Sequence, residues 1–156
     1  MATMTAIDDV RASTTDAEAI CGVKFRNIDY WVRQGHRSVG PSIAEAKGSG
    51  SHRVFSWADL VALRTMAVLR EWGSPDSRVE GVTLDVCDAV ATVMRTNAER
   101  LDYHDDDCLA IAADGQVHPC PAWPASGAPY LVVPIAPIID YVAAGVEMRL
   151  GIEIDT

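Results

Sequence analysis

Two short helical segments joined through a glycine constrain the fold of this chain more than any other feature. Thr15 or Asp16 can cap a first helix, and Gly22 is predicted to end it. A second helix is predicted over residues 24–34, because its apolar positions have the spacing of one buried face. Those positions are Ile28, Trp31 and Val32. Two short helices with so tight a connection are typical of a helix-turn-helix.

The segment after the second helix has the profile of a wing. Residues 36–55 lose helical periodicity, contain a Gly-Pro step and a Gly-Ser-Gly tip, and return into a short apolar strand. Ser56 and Asp59 then have the spacing of a capping box. A further helix is therefore predicted, and it ends before Gly73.

Helix and strand signals alternate in the remainder of the chain. Chain breakers at 73–77 mark a boundary, and residues 79–101 are predicted to form a long amphipathic helix. An Asp-Gly step at 114–115 predicts a hairpin between two short strands. Residues 130–135 are predicted as a third strand, and Pro137 opens a final helix.

The predicted fold class is α+β, with an N-terminal winged helix-turn-helix followed by a small acidic helix-hairpin-strand-helix domain. Residues 1–14 mix small and polar residues without a period and are expected to form a flexible tail. The winged helix-turn-helix is placed at residues 15–73 and the acidic C-terminal α/β domain at residues 79–156. The C-terminal domain is expected to dimerise or to bind an effector.

The formal net charge of −9 is distributed unevenly. Residues 74–156 carry 4 basic and 14 acidic side chains, whereas residues 24–70 carry eight basic and three acidic ones. A basic segment is compatible with a nucleic-acid partner even in an acidic chain. The overall acidity therefore does not exclude DNA.

Four cysteines are too few and too scattered for a disulfide-framed scaffold, and no pair has C-x-x-C spacing. Reduced thiols and a cytoplasmic location are therefore expected. The N-terminus lacks the pattern of a signal peptide, and prolines interrupt the most apolar stretch, at 130–146. Neither export nor membrane insertion is expected.

Two runs of sequence combine into a recognisable pattern. They read AICGVKFRNIDYWVRQG at residues 19–35 and GSGSHRVFSWADL at residues 48–60. Together they resemble the DNA-binding domain of MerR-family transcriptional regulators, in particular the actinobacterial branch with Asp-Tyr-Trp in the second helix. The resemblance covers residues 15–73, and beyond Val79 only the general layout is similar.

The resemblance implies that the second helix enters the major groove and that the wing approaches phosphate or the minor groove. Lys and Arg can donate to guanine or phosphate, Asn can pair with adenine, and Tyr can donate to phosphate. The implied DNA-binding residues are Lys24, Arg26, Asn27, Tyr30 and Arg33 in the helix, and Lys47, Ser49, His52 and Arg53 in the wing.

Two positions depart from the family pattern. Asp29 stands where many members have an arginine, which removes one possible phosphate contact, although the Asp-Tyr-Trp branch shares this change. His36 follows the glycine that closes the second helix, where an apolar residue is usual. Residues 36–46 are therefore expected to follow a displaced course toward the wing.

His104, Cys108, His118 and Cys120, beside the acidic run 105–107, form a candidate set of metal ligands. His118 and Cys120 are one close pair on a strand face, but no tight turn fixes a second close pair of ligands beside them. The acidic run lacks the glycine and the glutamate of a calcium loop. A buried cysteine, an exposed histidine and a solvated acidic loop are the preferred interpretation. No metal and no cofactor are expected.

The sequence predicts a sequence-specific regulator that binds double-stranded DNA as a homodimer, with an effector or protein partner possible at its C-terminal domain. Motifs of phosphate-binding loops, serine hydrolases and zinc proteases are missing from the sequence, so no enzyme is expected. One alternative is an antitoxin-like or anti-repressor interaction module with an acidic partner-binding domain. Another is an excisionase-like protein that bends DNA.

Overall fold

A computed structural model describes residues 4–44, 52–72, 83–100, 107–112, 115–119 and 130–156. Its N-terminal elements are α1 (Met4–Asp8), β1 (Ala12–Ser13), α2 (Thr14–Cys21), α3 (Phe25–Arg33), a 3-10 helix (Arg37–Val39), β2 (Val54–Phe55) and α4 (Trp57–Trp72). The C-terminal elements are α5 (Leu84–Thr96), β3 (Cys108–Ala112), β4 (Val117–Pro119), β5 (Tyr130–Pro134) and α6 (Ala136–Leu150).

Residues 4–14, expected to belong to a flexible tail, are instead folded onto the core. Ile7, Val10 and Ala12 are buried. β1 pairs antiparallel with β2, with Ala12 opposite Phe55. Burial of apolar side chains and pairing with a strand some forty residues away stabilise this segment, and neither contact has a local sequence signal.

The two helices of the helix-turn-helix are α2 and α3. The cap of α2 is Ser13 rather than Thr15 or Asp16, and Asp16 completes a capping box with it at N3. Gly22 ends α2 as predicted, with φ of 68°, a left-handed conformation that glycine adopts without strain. α3 buries Ile28 and Trp31, as predicted from their spacing.

α4 is the central helix of the molecule. Its predicted capping box is present, since the Ser56 backbone N–H donates to Asp59 Oδ2 at 2.8 Å and the Asp59 N–H donates to Ser56 Oγ at 3.3 Å. α5 packs against α4 and is shorter than predicted, although residues 79–82 and 101 lie outside the described part of the chain. The apolar side of the predicted amphipathic helix is buried within the same chain.

The three C-terminal strands form an antiparallel sheet in the order β4-β3-β5. The predicted hairpin is present as the β3–β4 pair, in which Leu109 lies opposite Pro119. Leu109, Ile111 and Val133 bring one face of the sheet into the core.

α6 packs on α2 and α4, so the C-terminal part contacts the helix-turn-helix directly. At the closest point, a Cβ added to Gly145 would lie 2.9 Å from Ile20 Cγ2. One buried apolar cluster extends from Ile7 to Ile154. The α+β fold class is thus confirmed, while the predicted boundary at 73–77 lies outside the described residues.

Candidate nucleic-acid interface

α3 presents a polar and basic face to solvent. Burial of Ile28 and Trp31 fixes the rotation of the helix about its axis, which leaves the opposite face exposed. Five predicted contact residues lie in or beside this helix, and all five are exposed: Lys24, Arg26, Asn27, Tyr30 and Arg33. The structure therefore brings the predicted helical residues together on one accessible surface.

The wing residues are distributed differently. Lys47 and Ser49 lie outside the described residues, and His52 is exposed. The side chain of Arg53 is only 16% exposed, because its Nη2 donates to Asp29 Oδ1 at 2.9 Å. Arg53 is therefore engaged by α3 in this structure.

Asp29 joins α3 to the strand that follows the wing. Besides Arg53, it pairs through Oδ2 with Arg33 Nε at 2.8 Å. The hydrogen bond from Arg53, together with both positive charges, holds the pKa of Asp29 below its ordinary value. Sequence comparison with the family suggested a lost phosphate contact at this position, whereas the structure shows a carboxylate that positions two arginines.

A buried polar network anchors the segment that follows α3. Asp59 is completely buried and accepts hydrogen bonds from the backbone N–H and hydroxyl of Ser42, at 2.8 and 2.6 Å. Arg95 of α5 pairs with Asp59 Oδ1 at 2.6 Å and donates to the Ser38 carbonyl at 3.1 Å. Ser38 also hydrogen-bonds to Asp88 through its hydroxyl. Both α4 and α5 therefore hold the segment that contains Ser38 and Ser42.

His36 and Val39 are held in different environments after the end of α3. The imidazole Nδ1 of His36 lies 3.9 Å from Asp88 Oδ2 at the side of α5. Val39, three residues later, is completely buried. Val39 thus supplies an apolar anchor to the core in this segment, while His36 lies beside α5.

The turn between α2 and α3 is supported from α4 and α6. Arg64 donates from Nη1 to the Cys21 carbonyl at 3.2 Å, and its guanidinium lies 3.6 Å from the centre of the Tyr141 ring. The Cys21 thiol donates to the Leu60 carbonyl, and burial raises its pKa to about 12. This cysteine is consequently a packing residue and not a nucleophile.

An open cleft of about 560 Å³ runs between α3 and the end of α4. Lys24, Arg26 and Tyr30 line it from α3, and Arg70 and Glu71 line it from α4. The position of Arg70 beside Lys24 and Arg26 extends the basic surface beyond α3, and no motif in the sequence signalled this neighbourhood.

Cys108 is disulfide-bonded, so the expectation of reduced thiols is wrong for this residue, whereas Cys21 and Cys87 are free thiols as expected. The register between β3 and β4 determines which residues of β4 lie near Cys108, and the spacing of the cysteines in the sequence could not supply that register. Within the described ranges, no group of three or more His, Cys, Asp and Glu side chains could hold a metal ion. His104, Cys120 and residues 105–106 lie outside those ranges, so the candidate metal set remains untested there.

The geometry defines a helix-turn-helix protein with an exposed basic second helix. Residues 12–83 match the family model described as MerR HTH family regulatory protein, so this part of the chain is a MerR-type helix-turn-helix domain. The resemblance found in the sequence is confirmed. None of the described helices has the length and apolar character needed to span a membrane.

Three curated proteins are similar to the chain over 54 residues, each with 41% identity. All three are named as uncharacterised HTH-type transcriptional regulators; one is from Mycobacterium bovis and two are from strains of Mycobacterium tuberculosis. The alignment covers 35% of this chain and 23% of each relative. The chain therefore matches less than a quarter of the length of these relatives.

Proposed function

We propose that this protein is a sequence-specific transcriptional regulator of the MerR type that binds double-stranded DNA as a homodimer. The exposed face of α3 is the observation that carries this proposal. Its Lys24, Arg26 and Asn27 have the donors that read guanine, phosphate and adenine, and they lie at the N-terminal end of the helix. In helix-turn-helix proteins, this end of the second helix reaches the base edges.

The charge distribution supports one orientation on DNA. The basic segment at 24–70 faces the duplex in this proposal, while residues 74–156, with 14 acidic side chains, face away. Repulsion between the acidic part and phosphate then limits binding in other orientations. Such a chain binds non-specific DNA less tightly than a uniformly basic one.

The proposed homodimer follows from the small size of the reading surface. α3 has nine residues, and a single short helix with a wing contacts too little DNA for high specificity. A second copy doubles the number of base contacts on a palindromic site. Cys87, Val90 and Met94 of α5 are buried in the chain's own core, which favours the strands over this helix as the dimer contact.

The C-terminal part of the protein is in contact with the helix-turn-helix. We propose that it works in the cytoplasm by binding, without catalytic activity, and that an effector or protein partner acts through the C-terminal part. Contact between α6 and α2 gives such a partner a direct physical connection to the helix-turn-helix.

Selection of genomic fragments by the full chain, followed by footprinting, tests the proposal. We expect protected half-sites about 10 base pairs apart, centre to centre, or at a multiple of that spacing. Lys24→Ala combined with Arg26→Ala should weaken binding to the selected fragment by about tenfold or more. The control variant Arg100→Ala also removes a positive charge. Arg100 follows Ala98, whose carbonyl accepts a hydrogen bond from Trp57 at the start of α4, whereas Lys24 and Arg26 lie beside the end of α4. Arg100→Ala should therefore change the affinity for DNA little. A chain that selects no fragment at low salt would overturn the proposal.

A further inference from the structure

Phe25, the first residue of α3, places an aromatic ring on the proposed DNA-binding surface. Its side chain is 51% exposed, whereas the apolar residues Ile28 and Trp31 of the same helix are buried. Exposure of so much apolar surface is unfavourable in water, and its burial on binding would be favourable. The sequence pattern assigned no role to this residue.

The position of Phe25 within the surface is well defined. It lies between Lys24 and Arg26 in sequence, and one helical turn before Asp29. Because Asp29 is bonded to Arg53, which directly precedes β2, Phe25 lies at the N-terminal end of α3 on the side of the helix nearest Arg53. A purely apolar protein partner fits poorly between two cations, whereas a nucleic-acid groove accommodates both the charges and the ring.

The major groove offers one apolar group at its base edges, the C5 methyl of thymine, and phenylalanine is suited to contact it. We infer that Phe25 is a specificity-determining residue that packs against a thymine methyl in each half-site. This inference rests on the proposed function and adds a base preference to it. Lys24 and Arg26 cannot supply this preference, because their donors do not recognise a methyl group.

Replacement of single thymines by deoxyuridine tests the inference on the full chain. This change removes the C5 methyl and keeps base pairing and the O4 acceptor. For a fragment selected by the wild-type chain, we expect one position per half-site at which the replacement weakens binding about three- to fivefold, the effect of one lost apolar group of this size. Phe25→Ala should bind the thymine and deoxyuridine fragments equally.

Two further variants keep the test interpretable. Phe25→Leu retains an apolar side chain and should keep part of the preference for thymine, and it provides a folded comparison if Phe25→Ala unfolds. Met148→Ala removes another exposed apolar side chain, on α6, and should leave the wild-type preference unchanged.

Each outcome has a distinct meaning. A wild-type chain that selects fragments but tolerates deoxyuridine at every position overturns the thymine contact and leaves the proposed function intact. Equal sensitivity in the wild type and in Phe25→Ala also overturns it, because another residue would then read the methyl. A wild-type chain that selects no fragment overturns the proposed function and this inference with it.

Discussion

Arg53 donates a hydrogen bond across 2.9 Å to Asp29, which connects the strand after the wing to the exposed helix α3. Arg33 shares the same carboxylate, so one acidic side chain engages two arginines on the proposed DNA-binding surface. In the free protein, these arginines are therefore partly neutralised. Phosphate must compete with Asp29 for Arg53, whose side chain is 16% exposed, whereas Arg33 is bound through Nε only and its side chain is 74% exposed.

Removal of Asp29 should make DNA binding less selective. In Asp29→Ala, Arg33 and Arg53 are released, so binding to random DNA should strengthen and its salt dependence should become steeper by about one unit of slope for each arginine that gains a phosphate. Equilibrium titration of the full chain at several salt concentrations measures this slope. Asp140→Ala, which removes an exposed acid on α6, is the matched control for net charge. Equal slopes for the two variants would contradict the prediction.

Loss of Arg95 should destabilise the protein strongly. Asp59 is fully buried, and in Arg95→Ala it would lose the cation that lies 2.6 Å from Oδ1. An uncompensated buried carboxylate costs about 3 kcal/mol of unfolding free energy, measurable by urea denaturation. Combining Arg95→Met with Asp59→Asn should recover part of the loss, because the buried charge is then removed. A single Arg95→Ala variant with wild-type stability would show that the pair contributes little.

The ion pair between Asp16 and Arg149, 2.8 Å apart, predicts a dependence of stability on pH. Partial burial alone would raise the pKa of Asp16, but hydrogen bonds from Ser13 and Arg149 outweigh it and hold the pKa below the ordinary value of 3.8. Because the folded-state pKa is depressed, the stabilisation is present above pH 3.8 and is lost as pH falls through the lower folded-state value.

Thermal unfolding as a function of pH checks this expectation. The wild-type Tm should exceed that of Asp16→Asn at pH 6, and the difference should shrink as the pH falls below about 4. Arg149→Met should show the same trend, since it removes the other partner. A Tm difference that stays constant into the acid range would exclude the ionised pair as its cause.

Local sequence signals predicted most of the helix-turn-helix. The spacing of Ser56 and Asp59 identified the start of α4, and Gly22 identified the end of α2, because both features act within a few residues. The exposed face of α3 followed equally well from the periodicity that buries Ile28 and Trp31. Local propensity and apolar periodicity were sufficient for these elements.

Contacts between distant parts of the chain could not be predicted in this way. Asp29 and Arg53 are 24 residues apart, and nothing in either neighbourhood indicates that they meet. The apolar stripe on α5 was apparent, but periodicity does not reveal whether α4 or a second copy covers it. The basic contribution of Arg70 beside α3 likewise depends on how the end of α4 packs.

The close approach of α6 to α2 predicts a steric requirement at Gly145. A Cβ here would lie 2.9 Å from Ile20 Cγ2 and 3.2 Å from the Ile20 carbonyl oxygen, so Gly145→Leu should push the helices apart. We expect a loss of about 2 kcal/mol in unfolding free energy, since overpacking outweighs the better helix propensity of leucine. Ala144→Leu places the same side chain at the adjacent exposed position of α6 and should have little effect. Because α2 holds the turn that leads into α3, Gly145→Leu should also weaken binding to a selected DNA fragment. If both leucine variants unfold at the same urea concentration, the contact between α6 and α2 does not constrain this position.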